Sequence, residues 1–283
     1  MLNLYKMHIY RSSKATSTLV IGILLGVFFF INSALAFFVF NDEILMSVAG
    51  ITAESNYKAS SVYPATLHTF HVSTSDAFNI LITIFTVIFV NSDYSKGFIK
   101  NTYNLFEEKW KFTWAKWTSL ITVVSGIFFV YSFLTLFSNA IILKHFSNSQ
   151  WGDYFRVLLV TYICFVAFVT MTFLITSLFR SAAGGMVIGI IIASGLLQTV
   201  ERLIDILIAN LSGANAQDIL MDVVGVNEAN YFKISDYCLD NVYLSYNAEM
   251  SSGDTVRSIL VALAYIGFGL GLAILVNRKR DLK

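Results

Sequence analysis

The sequence predicts an all-α membrane protein of six transmembrane helices with both termini cytoplasmic, and three observations carry that prediction. The first is a shortage of charge. Only 19 Lys+Arg and 18 Asp+Glu occur in 283 residues, or 13%, about half of the roughly 25% usual in a soluble domain. Hydrophobic residues make up 56%, with 25 Phe, 14 Tyr and a single proline, Pro64, and the mean hydropathy is +0.68. So few charges cannot cover a soluble chain of this size. The composition also excludes a disordered, collagen-like, disulfide-scaffold or nucleic-acid-binding protein. The second observation is a set of six long apolar windows, each suited to a hydrocarbon core of roughly 30 Å. The third is that the remaining charges are sorted between the two sides.

In chain order, residues 1–17 form a short amphipathic segment carrying Leu4, Met7, Arg11 and Lys14. The first span follows at 18–40. Its Asn32-Ser33-Ala34-Leu35-Ala36 stretch has the small residues of a signal-peptidase site, but the apolar run continues through Phe37, Phe38, Val39 and Phe40, which suits a span better than a cleaved leader. The second span, 72–91, is the weakest: it holds Asp76 near its outer edge, and the chain before it is rich in Ser and Thr. A loop at 92–119 leads to the third span at 120–143. Residues 157–200 are interrupted by one charge, Arg180. A single helix of that length would be about twice as long as the membrane is thick. It is therefore expected to be a hairpin of spans 157–179 and 181–200. An outer segment at 201–257 precedes the sixth span, 258–276.

Orientation follows from the basic residues, which concentrate on cytoplasmic flanks. With both ends inside, segments 1–17, 92–119, Arg180 and 277–283 hold 13 basic and 4 acidic residues. The outer segments hold 6 basic and 14 acidic. The inverted arrangement would reverse the bias.

The windows contain no Asp, Glu, Lys, Arg or His except Asp76. This disfavours a proton- or sodium-coupled carrier and an intramembrane protease, which need ionisable groups at depth. No G-x-x-x-x-G-K-[ST] phosphate loop occurs. His68 and His71 share a helical face at i, i+3, but two ligands are too few for a metal site, and they read as polar residues leading into the second span. His8 and His145 read as interfacial residues. Cys164 and Cys238 suggest neither a disulfide nor a nucleophile. What the spans do carry is G-x-x-x-G at Gly22/Gly26, Gly185/Gly189 and Gly267/Gly271, the spacing that lets helix backbones approach closely in a bundle or across a subunit interface.

The loop at 92–119 is amphipathic. Phe98, Leu105, Phe106, Trp110, Trp114 and Trp117 recur at mostly helical intervals opposite Lys96, Lys100, Glu107, Glu108 and Lys111, as in a segment lying along a membrane surface. An acidic residue closing the second span, then Ser95-Lys96-Gly97-Phe98-Ile99-Lys100-Asn101, then Ala115-Lys116 opening the third, resembles the permease subunits of type-2 ABC exporters. The likeness is to small permeases of Gram-positive bacteriocin, lantibiotic or peptide-antibiotic efflux and immunity systems. That family's Pro-x-Ser-Arg-like element is replaced here by Glu107-Glu108-Lys109-Trp110.

The resemblance implies that Asp93, Lys96, Gly97, Lys100, Asn101, Tyr103 and Asn104 couple the chain to a cytoplasmic ATPase pair. ATP and Mg would then reside on that partner, leaving this chain without cofactor or catalytic residues. It also implies a second permease copy or paralogue, with Gly22, Gly26, Gly185 and Gly189 where first and fifth spans meet, in a bacterial plasma membrane. Short helices outside the fifth span are common in the family, and 201–211 suits one, with Leu203, Leu207 and Leu211 on one face.

Residues 212–255 carry seven acids against Lys233 alone, with five aromatics interleaved. They are expected either to meet a cationic amphipathic peptide or to be a solvated segment whose acidity reflects the exclusion of Lys and Arg. The alternatives to a permease are a non-transporting assembly or sensor subunit and an ion-coupled carrier.

Overall fold

The computed structural model of the chain describes residues 2–41, 63–73, 76–95, 109–142, 150–179, 181–211, 233–247 and 250–279. Every regular element among them is helical: α1 (Leu2–Lys14), α2 (Thr16–Asn41), α3 (Pro64–His68) continuing as a π-helical turn (Thr69–Ser73), α4 (Asp76–Ser95), α5 (Lys109–Ile142), α6 (Trp151–Phe179), α7 (Ala182–Ala193), α8 (Leu196–Leu211), a 3-10 turn (Ser235–Tyr237), α9 (Leu239–Ser245) and α10 (Ser252–Lys279). Four helices are long and apolar enough to cross a membrane, within α2, α5, α6 and α10. Two bent pairs, α3 with α4 and α7 with α8, raise the number to six if each is one span. This is a multi-pass membrane architecture.

Helix α6 is the axis of the bundle. Its membrane window is 61% buried, against 28% for those of α2 and α10, as expected of a helix apolar on every face. Phe165, Phe168 and Phe173 of α6 meet Phe78 of α4, Phe128 of α5 and Tyr243 of α9 in the core. Helix α10 lies close along α6, where a Cβ on Gly269 would come within 3.1 Å of Met171 Sδ. Such close approach is how helices associate where lipid removes the hydrophobic drive.

Several elements depart from the sequence expectation. The fifth window, 181–200, is broken: two helices meet within it at 57°. The break lies at Ser194-Gly195, where Gly195 takes a left-handed φ of 66° and its N–H bonds the Ile192 carbonyl at 3.3 Å. Glycine there ends a helix without steric cost. The 12 residues of α7 reach only about 18 Å, well short of the membrane core. Helix α8 therefore begins five residues before the expected 201. It turns Leu203, Leu207 and Leu211 outward while burying Asp205 and Ala209.

The second window likewise starts with α3, whose first residue is Pro64, a position where the missing N–H costs nothing. A bend of 51° separates it from α4. The third helix begins at Lys109 rather than 120, and α4 runs to Ser95, so much of the 92–119 loop extends the spans themselves. The C-terminal part of the expected outer segment is ordered against the bundle. Tyr243 Oη donates to Asn79 Oδ1 at 2.8 Å, and Tyr243 stacks on Phe168 with centroids 5.6 Å apart.

Candidate functional site: a charge cluster at the ends of α1, α4 and α5

The buried face of α1 is Leu4, His8 and Ser12, an i, i+4, i+8 row that a helix places on one side. That row lies on the start of α5. Tyr5 Oη donates to Thr122 Oγ1 at 3.1 Å, and the His8 ring meets Phe112 edge-on with centroids 5.5 Å apart. Arg11, beside this row, reaches the end of α4. Its Nη1 donates to Asp93 Oδ1 at 2.7 Å. From α5, Lys116 Nζ lies 2.9 Å from Asp93 Oδ2 and donates to the Val90 carbonyl at 2.6 Å. His8 Nδ1 stands 3.8 Å from the same Oδ2.

The Asp93 side chain retains 2% of its exposure and that of Lys116 4%. An ion pair this deep cannot rely on water, so each member depends on the other. His8 stays uncharged at neutral pH: burial pushes its pKa down to about 4, the charges of Lys116 and Arg11 add to the effect, and Asp93 opposes it. Two cations and one carboxylate leave one formal positive charge. Helices α1, α2 and α5 contain no acidic residue at all. Chemically the cluster is a structural clasp. Its ionic groups are committed to one another, and it ties three helices together where α4 ends and α5 begins.

The sequence-derived residues divide three ways. Asp93, expected to open the segment that couples to an ATPase, lies buried within the clasp. Lys96, Gly97, Lys100, Asn101, Tyr103 and Asn104 lie outside the described residues. The four glycines behave in pairs. A Cβ on Gly189 would come within 2.5 Å of Thr83 Cγ2, and one on Gly185 within 3.0 Å of Thr176 Oγ1, so these two are spent on contacts of α7 with α4 and α6. A Cβ on Gly22 or Gly26 would meet nothing within 4 Å. Both line an apolar groove of about 550 Å³ between α2 and α5.

Sequence reasoning missed His8 and Arg11. The signal was available in an acid-free amphipathic helix carrying His and Arg at i, i+3, and in a lone Asp93 closing a span. His68 and His71, read as polar residues leading into the second span, precede α4 in this way but are core residues at 1% and 0% exposure, with His68 set between Phe128 and Tyr154. No group of three or more His, Cys, Asp or Glu that could hold a metal occurs among the described residues. Cys164 and Cys238 are free thiols, and burial, helped by Glu201, pushes the Cys238 pKa up to about 12, far from a reactive thiolate.

At the opposite end of the bundle, Asp205 anchors the outer segment. Its Oδ1 accepts from Ile234 N–H at 2.6 Å. Asp236 and Asp254 both pair with Arg257. Asp205, Asp236 and Asp254 are thus engaged within this segment.

Compared with known proteins, the chain matches no family model and no curated sequence.

Proposed function

We propose that this chain is the membrane-spanning permease subunit of an ATP-driven exporter of the type-2 ABC class, moving an amphipathic peptide or antibiotic-like substrate. It would have six spans, cytoplasmic termini, a second permease copy or paralogue, and ATP hydrolysis on a separate subunit. The observation that carries the reading is the Asp93 clasp. It joins the last turn of α4 and the first turns of α5, which flank the segment 96–108, to the N-terminal helix. A force applied to that segment by an ATPase would reach three helices as a unit, because breaking the clasp would strand a buried charge. The positive excess at this end agrees with a cytoplasmic location.

The test is whether an ABC ATPase is encoded in a neighbouring reading frame and co-purifies with this chain. Replacing 96–104 by a Gly/Ser linker is expected to abolish capture while leaving the permease folded. Asp93→Asn is expected to retain capture but uncouple transport from hydrolysis. Normal transport without any ATPase, or capture unaffected by the linker, would sink the reading.

A second reading, an ion-coupled carrier, draws its support from His68 and His71, ionisable groups enclosed in the bundle. Substrate uptake driven by a pH gradient and lost in His68→Gln/His71→Gln would favour it.

A further inference from the structure

In the outer segment, Glu201 of α8 and Asp240 of α9 come together where Gln198 joins their helices, its Nε2 donating to the Asp240 backbone carbonyl at 3.3 Å. Asp240 keeps only 5% of its exposure. Its Oδ2 and Glu201 Oε2 are both buried, and neither has a hydrogen-bond partner among the described residues. Yet the two carboxyl groups lie within hydrogen-bonding reach of each other, and the Cys238 thiol already serves Glu201. An ionised carboxylate only accepts. Two of them facing each other lack a proton, and that is the one donor that would satisfy both buried oxygens.

The neighbouring groups offer no substitute. Arg202 is exposed, Arg257 of α10 is taken by Asp236 and Asp254, and Lys233 acts on Asp236. Asp205 is spent on the Ile234 and Ser235 N–H groups, and Tyr265 Oη donates to the Tyr237 carbonyl at 3.4 Å. Helix α7 brings no titratable side chain. A metal ion would need more ligands than the pair, and no group of three or more His, Cys, Asp or Glu that could hold one occurs among the described residues.

We propose that Glu201 and Asp240 bind one proton between them, an acid-pair clip that fastens α8 to α9 at neutral and acidic pH and loosens in alkali. Helix α9 is itself docked on the bundle through Tyr243 and Asn79, so the clip ties α8 to the spans by way of α9. Loss of the proton would set two like charges against each other in an enclosed place. The folded chain holds this proton to higher pH than the unfolded chain does, so the contribution of the clip is full at low pH and is lost as pH rises. The inference stands whichever function the bundle serves.

The test uses the full chain in neutral detergent, with infrared spectra of the protonated-carboxyl C=O stretch and thermal unfolding, both followed from pH 5 to pH 9. At pH 7 a protonated-carboxyl band is expected that disappears in Glu201→Gln and equally in Asp240→Asn, because each amide donates permanently to the carboxylate that remains. The midpoint of the unmodified chain is expected to fall relative to that of Glu201→Gln by roughly 2–4 °C between pH 6 and pH 9. Either variant decides the matter by its band if the other fails to fold. A band that survives either substitution would overturn the proposal, as would its absence from the unmodified chain or a midpoint difference that does not change with pH. It would also fall if calcium chloride raised the midpoint at pH 9 as far as acidification does, since the pair would then be serving a metal cation.

Discussion

The two ends of this bundle use the same ionic chemistry in opposite settings. At one end a single carboxylate, Asp93, sits between Arg11 and Lys116 at 2.7 and 2.9 Å. At the other a single cation, Arg257, sits between Asp236 and Asp254 at 2.9 and 2.8 Å. Distances do not separate them. Exposure does: Asp93 and Lys116 keep 2% and 4% of their side-chain surface, whereas Arg257, Asp236 and Asp254 keep 34%, 29% and 30%. Water and salt answer the charges at the open end when a partner is lost. At the enclosed end only the partner can, so the same geometry becomes a joint that holds three helices in register.

The sharpest way to break this contrast is Asp93→Ala. It leaves Lys116 buried without its carboxylate, and the expected loss is about 3–5 kcal/mol, read as a lowered midpoint of denaturant or thermal unfolding in detergent. Lys116→Met is expected to cost less, because Asp93 keeps Arg11 and an apolar chain of similar length fills the space. If Asp93→Ala proved no worse than removing Arg257, enclosure would not be what distinguishes the two ends.

Enclosure also sorts the glycines, and this gives the next largest effect. Gly189→Leu must displace Thr83 of α4 from a contact of 2.5 Å, an overpacking expected to cost about 1–3 kcal/mol. Gly22→Ala meets no atom within 4 Å and is expected to be neutral or stabilising by up to about 1 kcal/mol, since alanine is the better helix former. Parallel unfolding of the two variants checks the pair. Similar losses in both would mean that the groove beside Gly22 is filled by protein.

These features were unequally legible in the sequence. Four long spans could be read because the charge-free apolar runs at 18–40, 120–143, 157–179 and 258–276 admit few alternatives in lipid. The break at Gly195 was hidden inside an unbroken apolar run, where hydropathy carries no directional information and glycine is an ordinary membrane residue. The burial of His68 and His71 was not legible, because polarity in sequence does not reveal that His68 packs against Phe128 and Tyr154. Asp93 was found, but for its place beside a loop rather than for its partners. Arg11 lies 82 residues away, a pairing that no local pattern encodes. The identical G-x-x-x-G spacing at 22/26 and 185/189 likewise could not say which pair is spent inside the chain.

His8 sharpens the comparison through pH. Its folded pKa of about 4 lies below the ordinary 6.5 because burial disfavours its charged form. The unfolded chain therefore binds the proton first as pH falls. Stability from neutral His8 is complete above about pH 6.5 and is lost progressively toward pH 4. Between pH 7 and pH 5 the expected loss is about 1–2 kcal/mol, and His8→Gln is expected to flatten that part of the stability–pH curve. An unchanged curve would mean that water already reaches the ring.

The smallest effect belongs to the open end. Arg257→Ala removes two ion pairs at once, yet each is solvated enough that the expected cost is about 0–1 kcal/mol. What remains of it is expected to shrink further as salt is raised from 50 mM to 500 mM, because the screening length falls from about 14 Å to about 4 Å and exposed charges feel this first. The informative control is Asp93→Ala over the same range, whose deficit is expected to stay nearly constant because salt cannot enter the clasp. If instead the Arg257 deficit were large and independent of salt, the Asp236–Arg257–Asp254 set would be working as a second joint, one that ties the 3-10 turn to the start of α10. The difference between the two ends would then be one of degree, set by how much of the outer segment shields Arg257.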